Sequence, residues 1–114
     1  MEFKILNDLN QLTQIDQESG SKLQVLFKHS TRCSVSLFAN KNLQREMSEI
    51  NSELVDVYYL DLLNYRSISN EIAVRYNVVH ESPQILLIKN GKCVYYAAHD
   101  NVSLLDAIRN IQLK

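Results

Sequence analysis

The amino-acid sequence predicts an α/β fold, with a mixed β-sheet covered by helices on both faces and a C-terminal β-hairpin followed by a helix. Short runs rich in branched and aromatic residues, at 23–27 and 54–62, flank a stretch whose apolar residues recur at helical spacing. A strand–helix–strand unit of this kind is parallel and right-handed. Further along, Asn90-Gly91 separates two more apolar runs, which is the strongest short-range signal for a hairpin.

The composition bounds the classes of protein to which the chain can belong. Its 114 residues are 46% hydrophobic and 22% charged, and include only 2 glycines and 1 proline. These values predict a single domain over residues 1–114 with short loops. A formal charge of −1 provides no basic surface for nucleic acid, and no apolar run approaches the length of a membrane span. We therefore expect neither nucleic acid nor a membrane as a partner.

The N-terminal residues and the cysteine content indicate the compartment. Residues 1–8 lack the basic segment and apolar core of a secretory signal. The two cysteines, Cys33 and Cys93, are too few and too far apart for the disulfide framework of a secreted protein. We therefore expect a cytoplasmic location, where thiols stay reduced.

The first part of the chain predicts a strand, a helix and a second strand. Phe3–Leu6 forms the first short strand, and Asn7 is the expected N-cap of a helix that ends before Gly20. The strand at Leu23–Phe27 follows. The apolar stripe of this helix consists of Leu9, Leu12 and Ile15.

The middle and end of the chain continue the alternation. A helix after Cys33 is followed by a strand at Leu54–Leu62, and Ser67 is the expected cap of a third helix that ends near Asn77. The hairpin strands are 84–89 and 92–98, and Asp100 or Asn101 is expected to cap the last helix. The inward-facing residues of the helix after Cys33 are Val35, Phe38, Ala39, Leu43, Met47 and Ile50; those of the last helix are Leu104, Leu105, Ile108 and Ile111.

The stretch from Lys22 to Ser36 carries the candidate chemistry. It is an apolar strand that ends in a polar turn, with Cys33 at the start of the next helix. A helix N-terminus offers unpaired N–H groups and the positive end of a dipole, and both favour a thiolate, the form that attacks disulfides. Arg32 adds positive charge next to the sulfur. A buried packing role, the usual fate of a free cysteine, fits this polar turn poorly.

The remaining ionisable residues show no metal or second redox site. Cys93 lies inside a predicted hairpin strand, where we expect it to pack in the core, because a bridge to Cys33 needs Cα atoms within about 7 Å. No cysteine or histidine pair has the spacing of a zinc site, so no metal is expected.

Two segments resemble the thioredoxin fold. Residues 72–78, then Pro83, then 89–92 are similar to the third helix of that fold, its cis-proline and its following hairpin. More narrowly, Lys28–Ser36 and His80–Gln84 resemble the paired signatures of the monothiol bacilliredoxins, which belong to the bacillithiol redox system. The one departure is Ser34, where the family usually has proline directly after the cysteine.

The resemblance implies a monothiol mechanism with Cys33 as nucleophile. Ser36 stands where two-cysteine thioredoxins carry a resolving thiol, and its hydroxyl is expected either to bond the sulfur or to be an ordinary polar group of the first helical turn. His29 is expected either to tune the thiol and transfer protons or to lie in solvent as a loop histidine. Thr31 belongs to the same turn.

The resemblance also implies a substrate groove and a co-substrate. A cis-Pro83 would place the backbone of Ser82 beside the thiol to pair with an extended client segment, flanked by His80 and Glu81. Bacillithiol would be the co-substrate, and the partners would be bacillithiolated cytosolic proteins and other small thiols. Asp100 and Asn101 could contact a bound thiol, although capping already accounts for them.

Two other functions stay open at this point. A monothiol glutaredoxin-like iron–sulfur carrier would bind a cluster through one cysteine per subunit, but the chain lacks the Gly-Phe pair that follows the cysteine in those proteins. A non-catalytic thioredoxin-like binding module would bind its partner without using the thiol.

Overall fold

A computed structural model describes residues 2–112 as a five-stranded sheet with four helices. The strands are β1 (Lys4–Ile5), β2 (Leu23–His29), β3 (Val55–Asp61), β4 (Gln84–Lys89) and β5 (Lys92–Ala98). The helices are α1 (Asn10–Glu18), α2 (Ser34–Met47), α3 (Arg66–Tyr76) and α4 (Leu104–Gln112), and a short 3₁₀ turn occupies His99–Asn101.

The strands lie in the order β1-β3-β2-β4-β5, and the sheet is mixed. Strands β1, β2 and β3 are parallel, whereas β4 runs antiparallel to β2 and β5 antiparallel to β4. The predicted parallel strand–helix–strand unit is therefore β2-α2-β3. Central strand β2 is buried from Gln24 to His29, so the residue that follows it emerges from the middle of the sheet.

Helices cover both faces of this sheet, as predicted, and each face has its own core. Leu26 and Leu86 point to the face covered by α1 and α3, where they meet Leu12 and Ile72. The residues of β2 and β4 that alternate with Leu26 and Leu86 point to the other face, where they pack against α2 and α4. The main members of this second core are Val25, Phe27, Leu43, Met47, Ile85 and Leu104.

The hairpin forms where the sequence predicts it. Asn90 and Gly91 both have positive φ, 53° and 74°, as a type I′ turn requires. The turn is also held from outside: the N–H of Asn90 donates to the carbonyl oxygen of Ser19 at 3.0 Å, and that of Gly91 donates to Ser19 Oγ at 2.8 Å. These bonds join the hairpin to the end of α1.

Two predicted N-caps are wrong by two residues each, because the N-caps are Leu9 and Tyr65. Helix α1 begins at Asn10 rather than after Asn7, because Gln11 Oε1 reaches back and accepts the N–H groups of Asn7 and Asp8 at 2.8 and 2.9 Å. Helix α3 begins at Arg66, ahead of Ser67. The end of α3 is as predicted, with Asn77 in the left-handed conformation at φ 54°.

The cap of α4 has a local part and a distant part. Asp100 and Asn101 belong to the 3₁₀ turn and do not cap α4. Ser103, directly before the helix, accepts the N–H of Asp106 through its Oγ at 3.2 Å. The buried carboxylate of Glu46, on α2, accepts the N–H of Leu104 at 2.8 Å and the hydroxyl of Ser103 at 2.6 Å. The contribution of Glu46, from 58 residues away, leaves no signal in the local sequence.

The apolar face of α2 is narrower than predicted. Phe38 is 69% exposed and Val35 45% exposed, whereas Ala39, Leu43 and Met47 are buried. The buried residues repeat every four positions, so Phe38 and Val35 lie to one side of the stripe. No helix within residues 2–112 is long and apolar enough to cross a membrane.

Candidate functional site

The structure places Cys33 as the N-cap residue of α2. Its backbone is extended (φ −110°, ψ 123°), and its carbonyl oxygen accepts the N–H of Leu37 at 3.0 Å, the first helical bond. The side chain is partly exposed. Within the described residues the thiol makes no capping hydrogen bond, so the N–H groups of the first turn are available to a thiolate.

The turn that leads into Cys33 is short and open to solvent. The N–H of Cys33 donates to the carbonyl oxygen of Ser30 at 3.3 Å, which closes the turn. Thr31, Arg32 and Ser34 are exposed. The exposed guanidinium of Arg32 is therefore placed to attract anions toward the sulfur, and Thr31 is exposed in the same turn.

Ser36 and His29 are joined to each other, which corrects two predictions. Ser36 Oγ lies 2.7 Å from His29 Nδ1 and accepts the N–H of Ser30 at 2.9 Å. Both side chains are buried, Ser36 fully and His29 to 1% exposure. His29 is thus the last residue of a central strand rather than a solvated loop histidine, and the Ser36 hydroxyl is bonded to it rather than to the sulfur.

The protonation of this pair follows from the same contacts. Burial lowers the pKa of His29, while contact with Ser36 and the negative charge of Asp61 oppose that shift. His29 is therefore neutral at pH 7. Ser36 Oγ can accept from Ser30 and still either donate to Nδ1 of His29 or accept from it, so the contact joins the two side chains in either tautomer of the imidazole. The pair positions the first turn of α2, and its geometry gives no support to proton transfer at the sulfur.

The segment 81–84 enters the same edge of the sheet. Gln84 pairs with Lys28 across β2 and β4, so Ser82 and Pro83 lie beyond the end of β2, toward Cys33. The Ser82–Pro83 bond is cis, as the resemblance implies. Among residues 2–112 no hydrogen bond to the buried Ser82 Oγ is present, and no backbone hydrogen bond engages the Ser82 peptide groups. Glu81 is exposed beside them.

Lys28 is the site residue whose position the sequence did not reveal. It is fully buried, on the face of β2 opposite to His29. Its Nζ donates to the carbonyl oxygen of Ser69 on α3 at 3.2 Å and lies 3.2 Å from His80 Nδ1. The first residues of the two signature stretches, Lys28 and His80, are therefore in direct contact. Only the position of Lys28 within a buried strand could have suggested this.

Cys93 lies far from Cys33. It pairs with Ile88, which pairs with Gln24 near the start of β2, whereas Cys33 follows the end of that strand. The separation along β2 alone is about 16 Å, well beyond the reach of a disulfide. The thiol donates to the carbonyl oxygen of Tyr95 at 3.3 Å, and burial raises the pKa of Cys93. These contacts agree with the predicted packing role.

A cavity of about 300 Å³ lies between α2 and the 3₁₀ turn, and its wall begins at Ser34, the residue after Cys33. Its walls combine apolar side chains with polar ones, and they include Ser34, Val35, Phe38, Asn42, His99 and Asp100. The turn is joined to the proline segment, because the N–H of His99 donates to the carbonyl oxygen of Pro83 at 2.9 Å. Within residues 2–112 no cluster of three potential metal ligands is present.

Replacing Ser34 with proline is expected to stabilise the protein without slowing the reactions of the Cys33 thiol. Cys33 already has the extended backbone that a residue before proline adopts, and Ser34 occupies the first helical position, which proline favours. We expect Ser34→Pro to raise the free energy of unfolding by about 0.5–1 kcal/mol, measured by urea denaturation. The rate of Cys33 alkylation by iodoacetamide should not fall. Ser34→Ala is the control for loss of the hydroxyl, and a destabilised Ser34→Pro would contradict the expectation.

Comparison with known proteins agrees with the geometry. Among solved structures, one described as a candidate oxidoreductase with a thioredoxin fold is 29% identical, with a TM-score of 0.80 over 95% of this chain and 91% of that one. Thioredoxin from Malassezia sympodialis (18% identity, TM-score 0.76, 96% and 90% covered) and from Fasciola hepatica (20%, 0.72, 96% and 98%) share the fold.

The family model for the monothiol bacilliredoxin BrxC matches residues 4–106. That range contains Cys33, the Ser36–His29 pair and the Ser82–Pro83 segment. Fold and family together support a thiol oxidoreductase-type role. The chain has a thioredoxin fold and belongs to the monothiol bacilliredoxin family.

Proposed function

We propose that this protein removes bacillithiol from protein mixed disulfides by a monothiol mechanism. The Cys33 thiolate attacks the bacillithiol sulfur, a new disulfide forms between them, and the client cysteine leaves as a thiolate. The observation that carries the proposal is the position of Cys33 as an uncapped N-cap residue, with the buried hydroxyl of Ser36 where a resolving thiol would stand. A second small thiol or a reductase must then release bacillithiol from Cys33.

The surroundings of Cys33 support recognition of both halves of the mixed disulfide. Among residues 2–112 no backbone hydrogen bond engages the peptide groups of Ser82, which suits pairing with an extended client backbone, with Pro83 and Glu81 beside it. The cavity next to Ser34 is the proposed place for the small thiol, with Asp100 available to its polar groups. The clients are proposed to be bacillithiolated proteins of the cytoplasm.

The test is intact mass spectrometry after treatment with oxidised bacillithiol. We expect one bacillithiol adduct on the wild-type chain, the same adduct on Cys93→Ser, and none on Cys33→Ser. Cys93→Ser is the matched control, because it removes the only other thiol of the sequence. Peptide mapping should locate the adduct on Cys33.

Two outcomes contradict the proposal. One is an adduct confined to Cys93. The other is an adduct on Cys33 that forms no faster with oxidised bacillithiol than with oxidised glutathione, because the thiol would then be reactive without being selective for bacillithiol.

A further inference from the structure

We propose that Lys28 and His80 form a latch beneath the site, which positions the Ser82–Pro83 segment for a client backbone and opens when His80 is protonated. The inference rests on the proposed use of that segment. It assigns a positioning role to two residues that do not touch the reacting sulfurs.

The latch joins three elements of the fold. Lys28 extends from β2, Ser69 from α3, and His80 from the loop that leads to Ser82. The ammonium of Lys28 donates to the carbonyl oxygen of Ser69 at 3.2 Å, and Ser69 Oγ lies 3.1 Å from His80 Nδ1. His80 is thereby fixed two residues before Ser82.

The chemistry of the donors determines the state of His80. An ammonium group has three donors and no acceptor, so His80 Nδ1 must be unprotonated to accept from Lys28. Protonation would place a second cation 3.2 Å from the first and would set one N–H donor against another. The contact with Lys28 therefore requires neutral His80; a protonated Nδ1 could donate only to Ser69 Oγ, and the link from the His80 loop to β2 would be lost.

The groups that face His80 determine the pH at which the latch opens. Lys28 comes from β2, Arg66 and Ser69 from α3, and Glu81 from the same loop. Burial and the positive charges of Lys28 and Arg66 lower the pKa of His80 from its ordinary value of 6.5, and Glu81 opposes the shift. The latch is therefore still closed at pH 6.5 and opens only at a lower pH.

The function of the latch can be separated from the reactivity of Cys33 by two chromogenic disulfides. One is an extended peptide whose single cysteine is in a mixed disulfide with nitrothiobenzoate; the other is the symmetrical nitrothiobenzoate disulfide, which has no backbone to bind. In both reactions Cys33 forms a new disulfide and nitrothiobenzoate leaves with the electron pair. Neither reaction needs bacillithiol, so the latch is tested even if the proposed co-substrate is wrong.

The measured quantity is the ratio of the two second-order rate constants in a Cys93→Ser background. The thiolate fraction of Cys33 affects both rates alike and cancels. For the Cys93→Ser parent we expect the rate constant for the peptide, divided by that for the symmetrical disulfide, to be constant at neutral pH and to fall about tenfold toward about pH 5. The fall corresponds to the loss of the hydrogen bond that holds the Ser82–Pro83 segment in position. His80→Leu should have the low ratio at every pH.

The conservative variant is His80→Asn, whose side-chain oxygen can accept from Lys28 but cannot be protonated. It should keep the high ratio and lose its pH dependence, which a merely structural effect of the substitution would not produce. The inference is overturned if His80→Leu keeps the parent's ratio, or if His80→Asn retains the parent's pH profile.

Discussion

A Ser36→Cys variant is expected to lose the bacillithiol adduct that we expect the wild-type chain to retain. Cys33 and Ser36 are the N-cap and third residue of α2, and Cβ atoms three apart on a helix lie about 5–6 Å from each other. A disulfide needs Cβ atoms about 3.5–4.5 Å apart, and we expect Cys33, whose backbone is extended rather than helical, to make that approach. The introduced thiol should therefore displace bacillithiol from Cys33 and close a local disulfide, and intact mass should show loss of two hydrogens instead of an adduct.

The expected size of this effect is large, because the resolving reaction becomes intramolecular. We expect the adduct to fall at least about tenfold below that of wild type. Ser36→Ala is the matched control: it also removes the bond to His29 Nδ1 but adds no thiol, so its adduct should persist. A Ser36→Cys variant with as much adduct as Ser36→Ala would show that the two positions cannot approach.

A Lys28→Met variant is expected to be more stable than wild type at pH 7. Burial lowers the pKa of Lys28 from 10.5 to about 8, so the folded protein disfavours the charge that the unfolded chain carries freely. The difference between these pKa values corresponds to about 3 kcal/mol. Lost hydrogen bonds to Ser69 and His80 offset about 1 kcal/mol of it, which leaves a net gain of about 2 kcal/mol in the free energy of unfolding.

The pH dependence of this stability difference shows whether the charge of Lys28 causes it. A lysine with a lowered pKa in the folded state contributes its full stability above 10.5, and this contribution is lost as the pH falls to about 8. The difference between Lys28→Met and wild type, measured by urea denaturation, should thus be largest below pH 8 and shrink toward pH 10.5. Taking the difference removes the titration of the tyrosines. A difference that does not change with pH would contradict a charge effect.

The sequence alone predicted the fold class, the hairpin and the position of Cys33 at the start of a helix. These features depend on short-range chemistry. Asn90-Gly91 adopts a turn that needs two positive φ values, the buried strand 24–29 is continuous, and Cys33 follows it in a polar turn before a helical repeat. The cis-Pro83 and the monothiol family assignment came from resemblance and were then confirmed.

Only the tertiary structure determined how the site is supported. Glu46 caps α4 from another helix, Ser36 bonds His29 rather than the sulfur, and Lys28 reaches His80 across 52 positions of the chain. Each of these contacts gives a hydrogen-bond partner to a polar group that loses water when two elements of the fold pack together. The sequence shows which polar groups exist, but the partner of a buried group is chosen by the neighbours that the fold brings to it.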